Sequence, residues 1–123
     1  MRLESVELAA ILSAAMTMMT SDGKSASQEK DLFTDELKFF QVSHEDALTY
    51  IRAAGKMTRR ETVEILKSMS DHAKKYACGF LAAVLLADGD ATEEEMQTWR
   101  EFSVSCKFPV MTMGEALDFW RNN

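Results

Sequence analysis

The stretch Tyr76-Ala77-Cys78-Gly79-Phe80-Leu81-Ala82-Ala83-Val84-Leu85-Leu86-Ala87-Asp88-Gly89-Asp90-Ala91-Thr92-Glu93-Glu94-Glu95 decides the fold. Its first part is apolar nearly all round, the pattern of a helix buried at the centre of its domain. Asp88-Gly89 stops that helix, because glycine tolerates the backbone conformation that closes a helix and aspartate suits a turn. Thr92 then opens an acidic helix whose Trp99 and Phe102 face inward. The same grammar occurs earlier in the chain, where an apolar run ends at Asp22-Gly23 and an acid, Glu29, follows as Glu95 follows Asp88. The expected architecture is all-α: about seven helices in two pseudo-symmetric helix-turn-helix halves around a buried central helix, forming one domain over residues 1–123.

Composition agrees. A chain of 123 residues with 46% apolar residues can bury one core without disulfides or metal as staples. One proline and five glycines suit helices joined by short turns. No run approaches the roughly 20 apolar residues that span a bilayer. The N-terminus Met1-Arg2-Leu3-Glu4 lacks the apolar core of a signal peptide, so the expected location is cytoplasmic. Cys78 and Cys106 lie in helical apolar runs at no zinc or redox spacing, which predicts buried, reduced thiols. With 20 acids against 14 bases the net charge is −6, which opposes binding to nucleic acid or anionic membranes. A basic or cationic protein partner fits that charge better.

Outward from the central stretch, periodicity sets the remaining helices. Residues 3–20 carry Leu8, Ile11, Leu12, Ala15, Met16, Met18 and Met19 at steps of three and four, and thioethers at that spacing read as adaptable core packing. A second helix is expected over about 27–40, with Leu32, Phe33, Leu37 and Phe40 inward. Ser43, backed by Asp46, caps a third that ends at Gly55. Thr58-Arg59-Arg60-Glu61 is a capping box opening a fourth helix through Val63, Leu66 and Met69. Ser70-Asp71 offers a fresh start before the central helix, although the apolar spacing also permits one continuous helix to Ala87; the break is the preferred reading. Pro109 interrupts the chain, and Thr112-Met113-Gly114-Glu115 starts a last helix expected to bury Leu117, Phe119 or Trp120. His44 and His72 read as helix-start residues, since no nucleophile motif accompanies either.

The acids of the two turns are the candidate chemistry. Glu29, Phe33, Leu37 and Phe40 share one helical stripe, as do Glu95, Trp99, Phe102 and Cys106. Upstream, Asp22 ends the stripe of Ile11, Ala15 and Met18, and Asp88 ends that of Ala77, Leu81 and Val84. If the two helix pairs pack side by side, Asp22, Glu29, Asp88 and Glu95 converge at one end of the core. Carboxylates brought together and partly desolvated repel, so they take up protons or gather something positive, and a hard Ca²⁺ or Mg²⁺ is the natural occupant. Helix punctuation is the competing reading. Thr92 through Glu95 is a capping box, whereas Ala26, three residues before Glu29, has no side-chain oxygen to reciprocate. An EF-hand fails because Gly89 stands second where that loop needs glycine sixth.

The stretches Met18-Met19-Thr20-Ser21-Asp22-Gly23-Lys24 through Glu29-Lys30-Asp31-Leu32, and Leu85 through Glu95, resemble the tellurite-resistance TerB-like domains. Those domains include the N-terminal domains of some membrane-anchored J-domain co-chaperones. The resemblance implies an all-helical domain of two related halves, a non-enzymatic role of stress-response type, and divalent metal binding by Asp22, Glu29, Asp88 and Glu95. The first copy departs from the family pattern at Ser25, Ala26 and Ser27. A protein-interaction module with an acidic docking surface and no metal is the alternative.

Overall fold

Five hydroxyl side chains set where helices begin. A computed structural model of the chain describes residues 4–20, 43–86 and 92–122, and the expected helix over 27–40 and both Asp-Gly turns lie outside them. The described residues form six helices and no strand: α1 (Ser5–Thr20), α2 (His44–Lys56), α3 (Arg59–Lys67), α4 (Asp71–Leu85), α5 (Glu93–Ser105) and α6 (Met113–Arg121). Ser43, Thr58, Ser70, Thr92 and Thr112 each sit in extended backbone and accept a hydrogen bond from the amide three residues on. Each satisfies a donor that the first helical turn leaves without an intrahelical partner.

The helix over 58–87 is broken. Helix α3 ends at Lys67, and Ser70 accepts from the Ala73 amide at 3.2 Å to start α4. The cap wins over the continuous apolar spacing because it satisfies a backbone donor that a kinked helix would strand.

Helix α4 is the buried centre, with every residue from Tyr76 to Ala82 buried. Helix α1 shares that position. Its residues Leu8 to Ala15 are all buried, Ser13 included, so α1 also faces protein on every side over two turns. Ser13 exchanges a 2.8 Å hydroxyl hydrogen bond with buried Thr62 of α3, which keeps both polar groups satisfied inside the core. Helices α2 and α3 pack on α1, while α5 and α6 pack on α4. Met18 is fully buried and Met16 packs against the core, in keeping with methionine as filler.

The last helix differs from expectation. Leu117, Phe119 and Trp120 are only partly buried, and Ala116 is the residue that disappears completely. The reason lies opposite it: a Cβ built on Gly79 would collide with the Ala116 carbonyl oxygen and crowd the Trp120 Cβ. The two helices therefore cross backbone to backbone, and only small residues fit at the crossing.

Candidate functional site

Glu95 is the predicted site residue that the described structure contains; Asp22, Glu29 and Asp88 lie outside the described residues. It occupies the first turn of α5 in a complete capping box. Its Oε1 accepts from the Thr92 amide at 3.0 Å, and its own amide donates to the Thr92 hydroxyl at 3.1 Å. Capping therefore accounts for one oxygen of this carboxylate.

Capping does not account for its burial. Glu61 and Glu115 make the same two hydrogen bonds at the starts of α3 and α6, and both carboxylates stand in solvent. Their acceptance of the Thr58 and Thr112 amides, with help from the threonine hydroxyls, holds both pKa values below the usual carboxylate range. Glu95 is 3% exposed, and Oε2 is buried with the rest. A glutamate is almost never that deep in a protein without a compensating environment.

The stripe behind Glu95 is anchored to α4. Trp99, one turn on, donates its indole N–H to the Cys78 carbonyl at 3.1 Å. Ser103, a further turn on, donates to the Trp99 carbonyl at 2.9 Å and lies 4.0 Å from the Cys78 sulfur. Phe102 completes the inward face, with the Arg59 guanidinium 5.0 Å from its ring centre. The expected inward stripe of Glu95, Trp99, Phe102 and Cys106 is thus present.

Both thiols are free and buried, as expected. Burial pushes Cys78 up to about 11, against a smaller lowering by Ser103. Cys106 is also pushed up to about 11 by burial, with Arg59 and Lys74 opposing. A thiol in that range is a packing residue at neutral pH, since the thiolate is the reactive form. His72 stands exposed with its ring edge-on to Phe119 at 5.1 Å. Among the described residues no three of His, Cys, Asp and Glu gather closely enough to hold a metal ion. No described helix is long and apolar enough to cross a membrane.

Two features escaped the sequence reading. Gly79 was legible in principle, because a glycine inside a helix costs about 1 kcal/mol against alanine and asks for a packing reason. The exposed pair Val104 and Val110 was not, since single surface valines are ordinary.

Among the described residues these observations define an all-helical fold with one deeply buried acid, at the start of α5. No family model and no curated protein matches the chain. Among solved structures, it is similar to a protein of unknown function from Porphyromonas gingivalis W83, with 28% identity and a TM-score of 0.84 over 99% of this chain and 92% of that one. The likeness supports the all-helical fold.

Proposed function

We propose that this is a non-enzymatic, cytoplasmic TerB-like domain of stress-response, tellurite-resistance type. In this reading its two Asp-Gly turns bind a divalent cation of the Ca²⁺ or Mg²⁺ class through Asp22, Glu29, Asp88 and Glu95. The reading takes in about seven helices in two pseudo-symmetric halves around a buried central helix. The observation that carries this reading is the burial of Glu95 where two otherwise identical caps leave their glutamates in water. An acid turned into the protein at the end of an apolar stripe is what a shared carboxylate site requires, and oxygen ligands suit a hard cation. Calorimetric titration of chelator-treated protein with Ca²⁺, Mg²⁺, Mn²⁺ and Zn²⁺ tests it. Binding heat and a raised melting temperature are expected for one of them, and both should vanish in Asp22→Asn with Asp88→Asn. No heat and no thermal shift at millimolar metal would remove the cation.

A second reading has its own observation. Both hydrogen bonds of the Glu95 capping box are made with Thr92, so the helix start needs no ion to form. The domain is then an interaction module whose acidic surface, on a chain of net charge −6, docks a basic partner. A complex that survives Asp22→Asn with Asp88→Asn but dissociates in high salt would favour it.

A further inference from the structure

We infer that the face of α5 beside the α5–α6 connection is a docking groove for a short linear segment of another protein in which a carboxylate is flanked by apolar side chains. It rests on none of Asp22, Glu29, Asp88 and Glu95, and it stands whether or not a cation binds them. Helix α5 presents Met96, Arg100 and Val104 at steps of four along one stripe, and the non-helical connection Phe108–Thr112 runs beside it. Two hollows lie between them, of about 380 and 440 Å³. Trp99, Arg100 and Met111 line both, so the hollows form one groove with Arg100 at its junction. Each is of a size that takes a bulky side chain with room to spare.

The lining decides the chemistry of the occupant. The charged side chains in the two hollows are Arg100 and Lys107, both cations, on a chain whose net charge is −6. The acids nearest in sequence, Glu95 and Glu101, belong to the same helix but line neither hollow. Apolar exposure concentrates at the same place: Val104 is 80% exposed and Val110 105%, two of the three large apolar side chains most open to solvent among the described residues. Both valines line the first hollow, so their exposed apolar surface is continuous with it. An apolar side chain on each side of an acid would fill the two hollows and set its carboxylate against Arg100, whose planar fork favours that group.

The groove itself is fixed. The α5 terminus closes with Lys107 in the left-handed region at φ 55°, the Phe108 amide donating to the Ser103 carbonyl at 2.9 Å and the Lys107 amide to Val104 at 3.2 Å. Phe108 is then buried, which holds the connection against the helix.

The test is selection from a phage-displayed library of random linear peptides on the full chain, followed by synthesis of the selected sequence. Enrichment of Asp or Glu between apolar residues is expected. The synthetic peptide should perturb the backbone amide resonances of Arg100, Val104 and Met111, and Arg100→Glu and Val104→Asp should each weaken it by about tenfold or more. Both positions are exposed, and unchanged circular dichroism would show that the variants fold. Enrichment of basic peptides, no enrichment, or binding indifferent to both substitutions would overturn the assignment. So would a concentration-dependent dimer of the native chain that Val104→Asp dissolves, because the occupant would then be a second copy.

Discussion

Cys78 and Gly79 are neighbours on α4, yet the helices they meet are held by different means. At Gly79 the approach of α6 leaves no room for a side chain, and the contact is settled by volume. At Cys78 the approach of α5 is spaced by an indole and a serine, and the contact is settled by a hydrogen bond from Trp99 with Ser103 alongside. A volume contact is intolerant of any addition, whereas a hydrogen-bonded one loses its fixed worth when a partner is removed. Helix α6 is thereby locked to the core, and α5, which carries both Glu95 and the apolar groove, is the helix whose surface can vary.

The largest effect should come from breaking the α6 side. Gly79→Ala gains about 1 kcal/mol of helix propensity. It also forces a methyl group into the Ala116 carbonyl, a backbone atom that cannot step aside as a side-chain tip can. We expect a net loss of about 3 kcal/mol or more, read as a lower urea midpoint. Gly55→Ala is the internal control. Among the described residues a methyl group there would meet the Met16 terminal carbon at 3.8 Å, an ordinary contact, so the same substitution should raise stability by about 0.5–1 kcal/mol. Equal effects at the two glycines would mean that α4 and α6 do not cross closely.

Next comes the α5 side. Glu95→Ala removes a cap and empties a buried volume, and should cost about 2 kcal/mol. Glu115→Ala removes the same cap from an exposed site and should lower the melting temperature by less. The two exposed caps also respond to acid. Glu61 and Glu115 have folded-state pKa values below the usual 4.5, so their stabilisation is complete above that value and is lost as pH falls through the folded values. Urea midpoints of Glu61→Gln with Glu115→Gln should accordingly converge on those of the native chain as pH drops below 4.5. Similar in size is Trp99→Phe, which puts a smaller ring in the buried site and deletes the donor to the Cys78 carbonyl, at about 2 kcal/mol.

How far the sequence could be read follows the same division. Caps are local: Ser43, Thr58, Thr92 and Thr112 could be found from a hydroxyl and the acid three residues on, and Ser70 from the Asp71 beside it. The inward stripe of α5 was legible because Glu95, Trp99, Phe102 and Cys106 repeat at helical spacing. The close crossing was not, since it depends on Gly79 meeting Ala116, residues far apart in sequence whose small size says nothing of what lies opposite. Burial rather than capping of Glu95 was half legible: its place at the head of the stripe gave the direction, but the sequence of Glu61 and Glu115 carries the same box with the opposite exposure. The groove lay hidden because Val104 and Val110 belong to different elements and become one surface only when the chain turns at Lys107.

That turn offers the smallest and most selective test of the α5 side. Lys107 holds φ 55°, a region in which a residue with a Cβ is strained and glycine is not. The Phe108 and Lys107 amides satisfy carbonyls at the end of α5, so the fold demands this conformation and the lysine tolerates it. Lys107→Gly should relieve the strain and raise stability by up to about 1 kcal/mol, net of the greater freedom glycine gives the unfolded chain. The same substitution removes one of the two cations lining the groove while leaving Arg100 in place. A stabilised variant that binds the acidic peptide more weakly would show that lysine is kept at this position for its charge and not for its backbone. A stabilised variant with unchanged binding would assign recognition of the carboxylate to Arg100 alone.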